Sequence, residues 1–329
     1  GKIIGEGWHK KSGEPHAEVN AVNSVKDKSL LKKSTIYVSL EPCSHFGKTP
    51  PCCDLIIENK IPNVVVGTLD CNEKVSGNGI KRLVEAGANV TVGVLEMECK
   101  ELNKRFFTFH EKKRPYVILK WAQTADGKMA SLNPSAGGTS DSDRKRLFIS
   151  NEYSNRLVHQ WRSEEASILI GTNTALLDDP ELTNRLWEGN SPIRLVLDMD
   201  LRLPSHLKLF DKKVKTIVFN AVKQEEKENL IYYKIDKEKS IVSEISYALY
   251  QLNIQSVIVE GGAKLLQSFI DAGLWDEARV ISNEKLVINN ACLPDRQGLA
   301  APNLTAALMV KEEKILSDRI EYYTRTNTE

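Results

Sequence analysis

Apolar residues in this chain fall in short runs of two kinds, and the two kinds alternate. Runs at "KIIGEGW" (2–8), "TIYVSL" (35–40), "NVVVGT" (63–68) and "NVTVGV" (89–94) predict strands. Between them "HAEVNAVNSVKD", with Val19, Val22 and Val25 at near-helical spacing, predicts a helix. So do "CCDLIIEN", "GIKRLVEAG" with its stop glycine, and "EMECKELNKRFFTFH". After the charged segment "HEKKRP" the pattern restarts. It predicts strands at "YVILKWA", "ASILIG", "PIRLVLD", "KTIVFN" and "QSVIVE", and helices at "NEYSNRLVHQWR" and "GAKLLQSFIDAG". Strands alternating with helices predict α/β layers in both halves, 1–112 and 113–329.

Composition adds bounds. A chain of 329 residues suits two domains at roughly 100–200 residues each. The hydrophobic share of 41% and charged share of 27% are those of a globular protein. Net charge is +1 without a basic block, so nothing in the charge points to nucleic acid or an anionic membrane. With neither a membrane-length apolar run nor a signal-peptide pattern, the expected location is the cytoplasm. Thiols stay reduced there, so the six cysteines are expected as ligands, nucleophiles or core residues rather than disulfides. The chain opens at Gly1 directly in a strand-like run, which predicts that a piece of the first domain precedes it.

"PHAEV" places His16 two residues before Glu18 at a helix start, and "EPCSHFGKTPPCC" follows a strand. His16, Cys43 and Cys52 offer one imidazole and two thiolates. Three protein ligands leave zinc a fourth position for water, as in a catalytic site. Glu18, near such a metal but not on it, suits proton transfer from water to a leaving amine. H-x-E followed by P-C-x-x-C marks zinc deaminases. Here eight residues separate the cysteines, so Cys43 is expected at the strand end and Cys52 at the helix start, with a loop arching between. Cys53, Cys71, Cys99 and Cys292 are expected to be plain thiols.

"GEPHAEVNAV" together with "SLEPCSHFGKTPPC" resembles the deaminase half of the bifunctional deaminase/reductase family of riboflavin biosynthesis. The resemblance implies a cytidine-deaminase-like three-layer fold, His16, Cys43 and Cys52 as ligands of one zinc ion, and Glu18 as proton shuttle. It further implies that His9 and Lys48 contact the pyrimidine substrate. The family carries a helix and a strand before "GKIIG", so this chain reads as N-terminally shortened.

In the second half "SVIVEGGAKLLQSFI" runs from strand through Gly261–Gly262 into a helix, a turn that lets backbone approach a phosphate. Taken alone it serves packing at least as often. "LIGTNTALLDDPELTNR" and "LKWAQTADGKMA" add two more polar strand exits, which could converge at one sheet edge. Singly, Asp126–Gly127 reads as a turn and Asp178 as a possible helix cap. Together these stretches are similar to the reductase half of the same family, with a dihydrofolate-reductase-like α/β fold and NADPH as cofactor. The resemblance implies that Ala122, Thr174, Asp178 and the segment Gly262, Ala263, Lys264, Leu265, Leu266, Gln267 and Ser268 lie along the cofactor. Phe148, in "RLFIS", stands where the family has a tryptophan. Arg162, Leu182, Arg185 and Glu260 are implied near the substrate. Lys120, Asp178 and Glu260 are the candidates for proton delivery.

The expected activity is hydrolytic deamination of a diaminopyrimidine ribosylamino 5′-phosphate, then reduction of the ribosyl chain to ribityl. Expected partners are that small molecule and further copies of the chain, with neither nucleic acid nor membrane. Two other readings stand beside this one: a deaminase acting on nucleic acid, and a zinc-stabilised binding module without turnover.

Overall fold

The computed structural model describes residues 1–10, 13–47, 49–71, 76–131, 148–288 and 298–326. Lys48 and Cys292, both named above, lie outside the described residues. The chain divides into two compact units, Gly1–Lys113 and Arg114–Glu329.

The first unit runs α1 (Ala17–Ser24), β1 (Thr35–Leu40), α2 (Cys52–Glu58), β2 (Asn63–Thr68), α3 (Asn78–Glu85), β3 (Asn89–Val92), α4 (Glu96–Leu102) and α5 (Lys104–Lys112). The strands form a parallel sheet in the order β1-β2-β3, Thr35 opposite Asn63 and Asn63 opposite Asn89. Val22, Ile56, Val64, Val66 and Leu83 close the core between sheet and helices.

Two expectations fail here. "KIIGEGW" is not a strand: residues 1–10 carry no regular secondary structure and lie along α1 instead. A Cβ on Gly7 would come within 2.3 Å of Ala21 N, so only glycine permits the approach. The backbone groups of the segment are taken by α1 side chains: Glu6 N–H donates to Ser24 Oγ (2.9 Å), and Asn20 Nδ2 donates to Trp8 O (2.8 Å). "EMECKELNKRFFTFH" is not one helix but two, broken at Asn103. Its side-chain amide donates to Cys99 O (2.8 Å), the local competition that makes asparagine a poor interior residue.

The second unit comprises β4 (Tyr116–Thr124), β5 (Lys128–Ser131), α6 (Glu152–Glu164), β6 (Ser167–Gly171), α7 (Thr172–Asp178), β7 (Ile193–Leu197), β8 (Thr216–Asn220), β9 (Glu225–Lys227) and β10 (Leu230–Lys234). It continues with α8 (Ile241–Gln251), β11 (Ser256–Glu260), α9 (Ala263–Asp271), β12 (Glu277–Asn283), β13 (Gly298–Ala300), β14 (Ala307–Ile315) and β15 (Asp318–Arg325). A ten-stranded sheet has the order β14-β15-β12-β4-β11-β6-β7-β8-β10-β9, parallel from β12 to β10 and antiparallel at both margins. Period-two alternation sorts the strand residues. Val117, Leu119, Val257 and Val259 pack with α8 and α9, while Ile118, Ile258 and Ile281 pack with Val158 and Trp161 of α6.

The elements missed from sequence are α7, α8, β5, β9, β10 and β12–β15. In β12 the apolar run is interrupted by Glu277 and Arg279, which are buried because they neutralise each other (Nε to Oε1, 2.6 Å). No helix among the described residues is long and apolar enough to cross a membrane.

One buried ion pair ties the first strand of this unit to the start of β12. Arg114 donates to both oxygens of Asp276 (2.5 and 2.7 Å), and Val117 N–H donates to Asp276 Oδ2 (2.9 Å). Truncating Asp276 leaves a buried guanidinium and an amide without their acceptor. Asp276→Ala is expected to lower the unfolding free energy by about 3–5 kcal/mol in urea titration; a loss under about 1 kcal/mol contradicts the assignment.

Candidate active sites

The first site forms where β1 leaves the sheet. His16 is the N-cap of α1 and Glu18 sits in its first turn; Cys43 follows β1, and Cys52 is the first residue of α2. His16 Nδ1 lies 3.4 Å from Cys52 Sγ and 3.6 Å from Cys43 Sγ. All three donor atoms fall within 4.8 Å of one another. Zinc with bonds of about 2.0 Å to nitrogen and 2.3 Å to sulfur, in tetrahedral geometry, separates N from S by about 3.5 Å. The donor set therefore fits zinc in kind and in spacing. Cys52 N–H also donates to Cys43 Sγ (3.3 Å), which suits a thiolate at that position.

Cys43 is held down to about 5, chiefly by the hydrogen bond from the Cys52 side chain. Cys52 is pushed up by the same bond. Burial raises the Glu18 carboxyl against hydrogen bonds from its own backbone and from Cys52 that lower it. The His9 ring sits 5.2 Å from that of His16, tilted against it, so the structure brings His9 to this site.

Sequence reasoning passed over two residues here. Thr49 Oγ1 lies 3.4 Å from His16 Nε2. Glu41 is buried, and its carboxylate accepts from Gly79 N (2.9 Å), Gly77 N (3.0 Å) and Asp70 N (3.3 Å), pinning the metal loop to α3. A buried acid just before Pro42 at a strand exit was the available signal. Gly79 lets α3 close in: a Cβ there would stand 2.2 Å from Pro42 O. Cys53 is a core thiol that donates to Pro42 O (3.2 Å), pushed up to about 12 by burial.

The second site lies in the other unit, where β11 and β6 end beside the middle of β4. Glu260 and Lys120 are register partners on β11 and β4, on the α6 face. Arg162 of α6 clamps Glu260 through Nε (3.2 Å) and Nη2 (2.7 Å), and Lys120 Nζ is 3.8 Å from Glu260 Oε2. Burial pushes the Glu260 carboxyl up, but Arg162 and Lys120 outweigh it and hold it at about 2. His159, one turn before Arg162, was not anticipated. Burial and then Arg162 and Arg185 hold it down to about 4, so its neutral Nδ1 accepts from Arg185 N (2.9 Å) and fixes the 181–185 loop.

In that loop Leu182 adopts a left-handed backbone (φ 52°) with its side chain in the core, while half-exposed Arg185 pairs with Glu181 (2.9 Å). Thr174 packs on the Gly261–Gly262 turn: a Cβ on Gly261 would meet its side chain at 3.1 Å. Ala122 lies on the α6 face two residues past Lys120. Gly262 caps α9, followed by Ala263 and exposed Lys264. Beyond them Leu265 and Leu266 point into the core, Gln267 bonds Asp271 (2.8 Å), and Ser268 bonds Lys264 O (2.8 Å). Asp178 is exposed on the last turn of α7, and the capping position belongs to Asp179. Phe148 is exposed. Asp126–Gly127 is the β4–β5 turn, with Gly127 N bonded to Thr124 O (2.9 Å).

Residues 1–68 match the family model described as the cytidine and deoxycytidylate deaminase zinc-binding region. Residues 115–311 match that of the RibD C-terminal domain. The riboflavin biosynthesis protein RibD of Aquifex aeolicus is 38% identical over 326 residues, covering 96% of this chain and 86% of the relative. The chain belongs to the RibD family. RibD of Escherichia coli is 33% identical, covering 88% of this chain and 81% of its own. A crystal structure from Thermotoga maritima is described as a diaminohydroxyphosphoribosylaminopyrimidine deaminase/5-amino-6-(5-phosphoribosylamino)uracil reductase. It matches with a TM-score of 0.83 at 34% identity, covering 98% of this chain and 88% of that one.

As a RibD protein the chain is an enzyme of riboflavin biosynthesis with deaminase and reductase activities. Its zinc-binding domain is cytidine-deaminase-like, and its reductase domain has the dihydrofolate-reductase-like fold. A binding module without turnover is thereby excluded.

Two outcomes follow from this geometry. Metal analysis after Cys52→Ala is expected to show loss of zinc, whereas Cys53→Ala keeps one equivalent; loss in both would remove the distinction drawn between them. A carboxyl depressed from 4.5 to about 2 in the folded state stabilises it at neutral pH, and that contribution fades as pH falls from about 4.5 towards 2. Glu260→Gln is expected to flatten the stability–pH curve across that window by on the order of 3 kcal/mol; an unchanged slope overturns the reading.

Proposed function

We propose that residues 1–112 deaminate 2,5-diamino-6-ribosylamino-4(3H)-pyrimidinone 5′-phosphate, and that residues 113–329 then reduce its ribosyl chain to ribityl with NADPH. The observation that carries the first half is the convergence of His16, Cys43 and Cys52 with Glu18 hydrogen-bonded beside them. Zinc held by those three would supply Lewis acidity that lets water ionise near neutral pH. Glu18 takes a proton from water as the oxygen bonds to the amine-bearing ring carbon, then hands it to the departing ammonia. His9 borders the pyrimidine, and its phosphate is assigned to Lys48.

In the second half NADPH, when bound, would supply the hydride. Ala122 of β4, Thr174 of α7 and the turn and first helical turns Gly262–Ser268 would line it, with Phe148 and Asp178 at the margins. For Leu265 and Leu266 the contact is through backbone, since their side chains are in the core. Lys120, held 3.8 Å from Glu260, delivers the proton that completes reduction. Glu260 and Leu182 border the sugar. Arg185, half exposed beside the fixed loop, suits a phosphate, and Arg162 orients Glu260. The same reading carries a cytoplasmic homo-oligomer, which light scattering checks.

The decisive measurement separates the two activities. Glu18→Gln is expected to cut ammonia release at least a hundredfold while zinc content and NADPH-dependent reduction of the deaminated substrate persist. Undiminished ammonia release from that variant would sink the assignment.

A further inference from the structure

His16 shows its two ring nitrogens to different neighbours. Nδ1 faces Cys52 Sγ (3.4 Å) and Cys43 Sγ (3.6 Å), so it is the nitrogen that shares the metal position. Nε2 faces Thr49 Oγ1 at 3.4 Å. A neutral imidazole carries a single ring proton, and if Nδ1 gives its lone pair to a metal the proton must sit on Nε2. A hydroxyl accepting that proton fixes the tautomer and the ring rotation together.

Thr49 belongs to the loop that separates the two cysteine ligands. Gly47 N–H bonds Thr49 O (3.3 Å) in a tight turn, and Cys52 N–H bonds Cys43 Sγ at the loop's base. Thr49 precedes Pro50, which biases its backbone towards extended conformations and away from the helix that begins at Cys52. A two-residue spacer would hold both thiolates on one helical turn and leave no residue free to reach back over the histidine. The eight-residue spacer does.

We propose that Thr49 is a positioning residue for the metal centre: its hydroxyl accepts the His16 Nε2 proton and so presents the Nδ1 lone pair to zinc. The long spacer then has a function in metal binding itself, as the strap that orients the imidazole. This rests on the zinc-site reading of His16, Cys43 and Cys52.

The test uses the full chain, as wild type, Thr49→Val and Thr49→Ser. Zinc affinity is read by competition with a chromophoric chelator, and unfolding by circular dichroism confirms the fold. Thr49→Val, equal in shape but without the hydroxyl, is expected to bind zinc about 10–100-fold more weakly, with Thr49→Ser restoring most of the loss. Long-range ¹H–¹⁵N correlation on zinc-loaded, histidine-labelled wild type is expected to show His16 protonated at Nε2 and metal-shifted at Nδ1. Equal affinity of Thr49→Val and wild type overturns the proposal, and so does a His16 proton on Nδ1. Should Thr49→Val not fold, the wild-type spectrum and Thr49→Ser decide. Wild type that takes up no zinc overturns instead the zinc-site reading beneath it.

Discussion

Parallel strands must leave a sheet at the same edge, and in each unit the chemistry is assembled along that edge. The constraint is one of hydrogen bonding: past the last paired residue the backbone loses its ladder, and new partners must be found before the next helix begins. In the first unit the Glu41 carboxylate supplies them, collecting amides of Asp70, Gly77 and Gly79 from the next β–α connection. That one side chain ties the segment before Cys43 to α3, while the Cys53 amide, donating to Cys43 O (3.2 Å), ties Cys43 to α2. In the second unit Glu260 ends β11 and meets Arg162 and Lys120 from neighbouring elements. An acid at a strand exit is the common device.

Burial raises both acids, yet their carboxyls end up shifted in opposite directions because their neighbours differ. Glu18 has thiols beside it, so desolvation prevails and its carboxyl is raised. Glu260 lies against a guanidinium and an ammonium, which outweigh desolvation and keep it ionised. The first acid is suited to carrying a proton. The second is suited to holding charges in place, with His159 kept neutral a turn away so that it can accept from the Arg185 amide.

Much of this was legible along the chain. "NVVVGT", "YVILK" and "SVIVE" read correctly as strands because strands buried in a parallel sheet are near-continuous apolar runs. The grouping of His16, Cys43 and Cys52 was legible because side chains able to hold a metal come from a short list of residue types. The opening "KIIGEGW" misled, since period-two alternation also describes an extended segment lying on a helix, and the glycines that allow the approach look the same in either case. The edge strands β9 and β14 were missed because an exposed antiparallel edge needs no apolar run. β12 was missed because its buried charges cancel only once Glu277 and Arg279 are side by side.

The sequence by itself determined the alternation of the sheet layers, the donor set of the metal centre and the identity of the acid beside it. These follow from local periodicity and from the chemistry of single residue types. Tertiary structure alone decided which polar groups meet. The pairing of Glu260 with Arg162 spans 98 positions, and that of Asp276 with Arg114 spans 162. Which nitrogen of His16 faces the thiols, and that Thr49 takes the other, likewise depends on how a loop folds back over a helix from an earlier part of the chain. Contacts of that kind are set by the packing of whole elements, to which no spacing along the chain gives access.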